Sequence, residues 1–203
     1  LLSLEPNSSS FWAKYINNRD HYSNKDIDIK KKIIENFFKE SKGKVLDIGC
    51  NTGEFLFIAS KNCSESHGID IDENCINHIQ KNINEQNISV ANINISNPTP
   101  NIGWNNEETN GYLNKNINYF DTVIFFGLVH HLVTVDRIPL TDIILLLSKL
   151  TKKNLIFEFV SNQDQKFREL AGINIDLYKD FSKEYFETTV NKYFEIVKIH
   201  ELD

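Results

Sequence analysis

The chain has 203 residues and a formal net charge of −6, and 40% of its residues are hydrophobic. This length predicts a single domain with a substantial buried core. The negative charge argues against a generic nucleic-acid binder, because binding to phosphates usually requires a basic face. No apolar run approaches the roughly 18 residues that a membrane span needs. The cysteines, Cys50, Cys63 and Cys75, lack metal-ligand spacing and predict reduced thiols in a cytoplasmic protein.

The N-terminal part of the chain is predicted to form an extension that contains one helix. Ser23 is a candidate N-cap, and apolar side chains recur at helical spacing from Ile27 to Phe38. We therefore divide the chain into an N-terminal extension that packs on the core, residues 1–43, and the core itself, residues 44–203. The basic cluster Lys30-Lys31-Lys32 within this helix is interpreted as a solvated face in preference to an RNA-binding patch, because acidic residues are interspersed with it.

Strands and helices alternate along the core, which predicts an α/β fold with a doubly wound, mostly parallel sheet. The predicted strands are 44–48, 66–70, 89–95, 120–126, 155–160 and 193–200. The predicted helices are 53–62, 72–85, 136–150 and 182–192, with Pro139 in the first turn of the third. Residues 101–118 are predicted to form a polar loop that can include a helical turn. Trp104 in this loop either belongs to a lid over a substrate or packs on the edge of the sheet.

The first strand leads into a glycine-containing turn, Asp47-Ile48-Gly49-Cys50-Asn51-Thr52-Gly53. Glycine at such a turn lets the backbone approach a ligand where a Cβ would clash. The next strand ends in Asp70, whose carboxylate can accept from two ribose hydroxyls. Asp72 is the competing acid, but helix N-capping explains it well. Together the turn and Asp70 predict a site for an adenosine-containing ligand at the carboxyl edge of the sheet.

This turn differs from both common phosphate-binding glycine motifs. A dinucleotide fingerprint requires G-x-G-x-x-G, and here Asn51 stands at the middle glycine. No G-K-[ST] of a P-loop follows either. The pattern instead resembles motifs I and II of the class I S-adenosylmethionine-dependent methyltransferases, over roughly residues 44–160.

The resemblance implies that the chain binds S-adenosyl-L-methionine and releases S-adenosyl-L-homocysteine. It also implies that the final antiparallel edge strand of that family is absent or incomplete here. Asn94 and Ile95 match the third motif, where a polar side chain and a backbone N–H meet adenine; an ordinary strand-end asparagine is the alternative. The implied cofactor-binding residues are Asp47, Gly49, Cys50, Asn51, Gly53, Asp70, Ile71, Asn94, Ile95, Phe126 and Gly127.

Two histidines, His130 and His131, follow the fourth predicted strand and Gly127. Imidazole, with a pKa of about 6.5, can take a proton from a hydroxyl at neutral pH. Glu158 lies between two phenylalanines in the fifth predicted strand, where a charge needs a partner. The arrangement resembles the plant small-molecule O-methyltransferases, in which a histidine after strand four is the general base and a glutamate in strand five supports it.

The predicted catalytic residues are therefore His130, His131 and Glu158, with His130 as the base and Glu158 orienting it. A structural role for the histidines, and a salt bridge from Glu158 to a neighbouring helix, remain as alternatives. We assign no metal, because histidines and Gly127 stand where the metal-dependent relatives carry acids.

The sequence as a whole predicts a methyltransferase that acts on a small-molecule acceptor, at an oxygen. The loops 97–118 and 161–181 are expected to set the acceptor. Nucleic acid and membranes are not expected partners. A longer chain is expected because the sequence lacks any methionine, and a homo-oligomer is the other expected partner because the strand predicted at 193–200 would leave an unpaired edge. The alternatives are a protein or RNA methyltransferase, and a non-catalytic methyltransferase-fold binding module within a larger protein.

Overall fold

The computed structural model describes residues 24–202, so that Ser23 and residues 1–22 lie outside the described part. Five parallel strands form one sheet in the order β3-β2-β1-β4-β5. Their bounds are β1 Lys44–Ile48, β2 Glu65–Asp70, β3 Ile88–Asn92, β4 Phe120–Phe125 and β5 Thr151–Phe157. The predicted α/β fold with a parallel sheet is confirmed.

Eight α-helices flank the sheet in the described residues. They are α1 Asn24–Glu40, α2 Glu54–Ser60, α3 Glu73–Asn82, α4 Tyr112–Asn116, α5 Val129–Thr134, α6 Leu140–Leu150, α7 Gln165–Ala171 and α8 Lys183–Val190. Short 3₁₀ segments occur at Trp104–Asn106 and Gly172–Tyr178. No helix within residues 24–202 is both long and apolar enough to cross a membrane.

Successive side chains of β1 point to opposite faces of the sheet and join different clusters. Val45 packs with Ile34 and Phe38 of α1. Leu46 packs into a larger cluster on the other side, which includes Leu147 of α6. A sheet covered on both faces needs apolar residues at nearly every strand position, as the sequence of β4 shows.

The strand order reverses between β1 and β4. The chain runs outward from β1 through β2 to β3 and then returns to place β4 on the other side of β1. Ligands of open α/β sheets bind at such a reversal, beyond the carboxyl ends of the strands. The glycine turn, Asp70 and the segment after β4 all lie at this edge.

The predicted sixth strand, residues 193–200, is wrong. This segment has no regular secondary structure, and within the described residues β5 forms one border of the sheet. Phe194 and Ile196 pack against the core, whereas Val197 is 89% exposed. The alternation of apolar residues is real, but it reflects a chain lying against the core and not a strand hydrogen-bonded to a neighbour.

Two predicted boundaries also need correction. The fifth strand, predicted at 155–160, spans Thr151–Phe157. The helix predicted to begin at Asp136 begins at Leu140, with Pro139 as its N-cap. The left-handed backbone of Arg137, at φ 56°, separates it from the short helix α5. The short helix α7 was not predicted; Asp164 caps it by accepting from the backbone N–H groups of Lys166 and Phe167.

Candidate active site

The glycine turn after β1 contains three residues with left-handed backbone, Gly49 at φ 75°, Asn51 at φ 48° and Gly53 at φ 88°. Asparagine is one of the few residues other than glycine that adopts this conformation readily. Its side-chain oxygen accepts from the backbone N–H of Thr52 at 2.7 Å. Asn51 therefore replaces the middle glycine of the turn at little conformational cost.

Asp70, at the end of β2, connects the glycine turn to the turn that leads into α3. Its Oδ2 accepts from the backbone N–H of Asn51 at 2.8 Å, and its Oδ1 accepts from that of Asp72 at 2.8 Å. Each carboxylate oxygen has two acceptor positions, so both retain capacity for ligand hydroxyls. Asp72 caps α3 by accepting from Asn74, as the sequence predicted. Ile71, beside Asp70, exposes 60% of its surface and offers an apolar wall for a ring.

Asp47 is a buried carboxylate beneath the turn. Only 2% of its surface is exposed, and its Oδ2 has no hydrogen-bond partner among the described residues. Burial raises its pKa to about 7, and the negative charge of Asp70 adds to this effect. A buried polar atom without a partner needs an explanation.

The raised pKa of Asp47 yields a prediction on stability. Because its pKa lies above the value of 3.8 in an unfolded chain, the folded state holds the proton more tightly, and stability falls as the pH rises towards about 7. Asp47→Asn should therefore stabilise the ligand-free protein at pH 8, by on the order of 3 kcal/mol, and by much less at pH 4. Thermal melting at both pH values checks this. A variant whose stability relative to wild type is the same at both would contradict it.

Asn94 and Ile95 lie in the turn after β3, and not within the strand. The side-chain oxygen of Asn94 accepts from the backbone N–H of Ser96 at 3.0 Å and from its hydroxyl at 2.8 Å. These two bonds use the acceptor capacity that an adenine amino group would need. The arrangement favours the alternative of an ordinary turn asparagine, and leaves the backbone N–H of Ile95 as the candidate contact.

The segment after β4 turns at Gly127, whose φ is 61°. Glu158 lies one residue beyond the end of β5, and its Oε2 accepts from the backbone N–H of Gly127 at 2.7 Å. Its Oε1 pairs with the ammonium of Lys30 from α1. Both Lys30 and Glu158 are buried. Lys30 therefore does not belong to a solvated face, contrary to the sequence interpretation.

Glu158 makes no direct hydrogen bond to His130. No hydrogen bond joins its carboxylate to either imidazole nitrogen of His130, and Nδ1 of His130 has no partner among the described residues. The two side chains are therefore not joined by a direct hydrogen bond, and a connection through one water stays a prediction. The alternative, a salt bridge from Glu158 to a neighbouring helix, is what the structure shows.

The two histidines occupy the first turn of α5 and differ in exposure. Their rings lie 4.4 Å apart between centroids. His130 is buried, and burial lowers its pKa to about 3, with His131, Lys166 and Lys30 adding to the effect. His131 is half-buried; burial also lowers its pKa, and Lys166 contributes, while Asp136 acts in the opposite direction. Both rings are therefore neutral at pH 7, and His131 is the one with an accessible surface.

The loop containing Trp104 does not pack on the sheet through this residue. Trp104 is 86% exposed, so the packing alternative is wrong, and its role in a lid stays a prediction. The other candidate acceptor segment carries exposed apolar side chains as well, with Ile173 at 98% and Leu177 at 74%.

Sequence reasoning missed the contribution of Lys30, although a signal was present. Lys30 stands three residues after Ile27 and four before Ile34, and therefore on the apolar stripe of α1. It also missed Leu128, which approaches the glycine turn: a Cβ built on Gly49 would lie 3.4 Å from Leu128 Cδ2.

Comparisons with known proteins agree with this geometry. A family described as a methyltransferase domain matches residues 46–152. The nodulation protein NoeA of Rhizobium meliloti (strain 1021) is 24% identical over 202 residues, an alignment that covers 98% of this chain and 42% of that protein. The chain therefore spans less than half the length of this curated relative.

Solved structures share the fold. The N-methyltransferase NodS from Bradyrhizobium japonicum WM9 superposes with a TM-score of 0.58 at 14% identity, over 84% of this chain and 83% of NodS. Its complex with S-adenosyl-L-homocysteine gives a TM-score of 0.57 at 14% identity, over 89% and 85% of the two chains. Because the family match covers more than half of the chain and the parallel sheet carries its glycine turn and acid at the expected edge, the chain belongs to the methyltransferase-domain family.

Proposed function

We propose that the chain transfers a methyl group from S-adenosylmethionine to an oxygen of a small-molecule acceptor, and that His131 removes the acceptor's proton. The observation that carries this proposal is the accessible, neutral imidazole of His131 immediately after the Gly127 turn. A neutral imidazole beside the reversal of strand order is suited to accept a proton from a hydroxyl.

The residues around the glycine turn fit the cofactor. When bound, S-adenosylmethionine supplies an activated methyl group on a sulfonium. We assign Asp47, with its unpartnered Oδ2, to the cationic part of the ligand, and Asp70 to the ribose hydroxyls. The remaining assigned cofactor residues are Gly49, Cys50, Asn51, Gly53, Ile71, Ile95, Phe126 and Gly127. Asn94 completes the set by its position in the turn after β3, although its side-chain oxygen already accepts two hydrogen bonds from Ser96.

The chemical contribution of the protein is alignment and proton removal. Holding an acceptor oxygen in line with the methyl group replaces a bimolecular encounter, and such positioning accounts for much of the rate in reactions of this type. His131 acts on the acceptor's proton. His130, buried beneath it, supports the first turn of α5, and its low pKa keeps a second positive charge away from the site.

Other features of the molecule support the acceptor class and the cellular location that we propose. The net charge of −6 disfavours nucleic acid. The cysteines Cys50, Cys63 and Cys75 are buried and unpaired, which supports the proposed cytoplasmic location. The exposed residues Trp104 and Ile173 lie on the two segments proposed to select the acceptor.

Methyl transfer from tritium-labelled S-adenosylmethionine tests the acceptor class. The protein is incubated separately with the low-molecular-weight, protein and RNA fractions of a cell extract. We expect label in the low-molecular-weight fraction, in a product that mass spectrometry identifies as a methyl ether or ester. A methylamine product would move the reaction to nitrogen, as in the name of the NodS structure. Label in protein or RNA would contradict the proposal, and cofactor binding without any labelled product would favour a non-catalytic module.

A further inference from the structure

An ion pair is buried between the N-terminal helix α1 and the end of β5. Lys30 Nζ lies 2.5 Å from Glu158 Oε1, and the two side chains are only 6% and 7% exposed. Removing two charges from water is costly, and a buried pair often stabilises a fold no better than well-packed apolar side chains do. Its presence at the edge of the sheet that carries the active site therefore suggests a positional role.

The carboxylate of Glu158 connects this pair to the turn after β4. Its second oxygen accepts from the backbone N–H of Gly127 at 2.7 Å, and its own backbone N–H donates to Phe125 at 2.9 Å. Glu158 is thereby fixed both through its main chain and through its side chain. A hydrogen bond to a charged acceptor is among the stronger kinds in proteins.

The turn that Glu158 holds borders the glycine turn of β1. Leu128 follows Gly127, and its Cδ2 would lie 3.4 Å from a Cβ built on Gly49. Lys30 also lies over the ring of Phe126, at 5.8 Å from its centroid. A change at Lys30 can therefore reach the cofactor turn through Gly127 and Leu128, without any direct contact between Lys30 and the ligand.

We infer that Lys30 and Glu158 are positioning residues: their buried ion pair fixes the Gly127 amide, and so makes the N-terminal helix α1 part of the cofactor site. Lys30 holds the Glu158 carboxylate in place, Glu158 holds the turn after β4, and Leu128 of that turn closes on the glycine turn. The inference rests on the cofactor residues assigned in the proposed function.

Nuclear magnetic resonance reports on the Gly127 amide directly. The chain has 8 glycines, so labelling with ¹⁵N-glycine gives a spectrum simple enough to assign by single substitutions. Gly127 should show a low-field amide proton that exchanges slowly in the wild-type protein. Lys30→Met should shift this resonance and speed its exchange. Lys31→Met should not, because Lys31 pairs with Glu54 in a more exposed position of the same helix, at 35% and 24% exposure.

Calorimetric titration with S-adenosylhomocysteine then separates the hydrogen bond from the charge. The double variants K30M/E158Q and K30M/E158L both lack the buried ion pair, but only glutamine can still accept from Gly127. We expect affinity within about threefold of wild type for K30M/E158Q and about tenfold weaker for K30M/E158L. Thermal melting of both variants confirms that they are folded at the temperature of the titration.

Three results would overturn the inference: an unchanged Gly127 resonance in Lys30→Met, an equal shift of that resonance in Lys31→Met, or equal losses of affinity in K30M/E158Q and K30M/E158L. Neither measurement uses a methyl acceptor. A failure of the proposed O-methylation would therefore leave these results unaffected. It can be distinguished from a failure of the positioning role of Lys30 and Glu158.

Discussion

Replacing His131 by alanine is expected to lower turnover by about 10²–10⁴-fold, the usual effect of losing a general base. Cofactor affinity should change little, because His131 belongs to α5 and not to the glycine turn. The measurement is release of S-adenosylhomocysteine with the acceptor that the labelling experiment identifies. His78→Ala serves as the control, since His78 is exposed on α3, away from the histidine pair.

The comparison with His130→Ala decides between the two histidines. His130 is buried, so its removal should lower the melting temperature through loss of packing. If His130→Ala reduced turnover on the same scale with an unchanged melting temperature, while His131→Ala remained active, the base would be His130. If neither substitution affected turnover, alignment without a base would be the better account.

Asp70→Ala is expected to weaken S-adenosylhomocysteine binding by ~1–3 kcal/mol, roughly 5- to 150-fold. The substitution removes the acceptor for the ribose hydroxyls and also the support of the backbone N–H groups of Asn51 and Asp72. Isothermal titration measures the loss. Asp142→Ala is the matched control, because Asp142 is an exposed acid on α6.

Asp70→Asn separates these two functions of the carboxylate. Its amide oxygen can accept one backbone N–H, but its NH₂ group cannot accept from the other. Affinity should therefore fall between those of wild type and Asp70→Ala. Wild-type affinity in Asp70→Ala would exclude Asp70 from the ribose site.

The parts of the fold that depend on local pattern followed from the sequence. The β1 strand, the glycine turn and the capping role of Asp72 are each specified by a few neighbouring residues. Asn51 adopts the left-handed backbone of the glycine that it replaces, because this conformational preference is a property of the residue itself.

The parts that depend on tertiary partners did not follow from the sequence. Residues 193–200 alternate like a strand, but a strand also needs a neighbour with which to bond, and β5 does not serve as one. Glu158 was recognised as a buried charge in need of a partner, yet its partner Lys30 is 128 positions earlier in the chain. The residues around Glu158 do not show whether its partner is Lys30, 128 positions earlier, or His130, 28 positions earlier.

The central claim is that the carboxyl edge of β1 and β2 binds S-adenosylmethionine and not another adenosine ligand. Titration of the wild-type protein with S-adenosylhomocysteine, NAD and ATP, under identical conditions, tests this most directly. The account predicts clear heat of binding for S-adenosylhomocysteine, far weaker binding of NAD and ATP, and weaker S-adenosylhomocysteine binding in Asp70→Ala. Tight binding of NAD with no response to S-adenosylhomocysteine would contradict it.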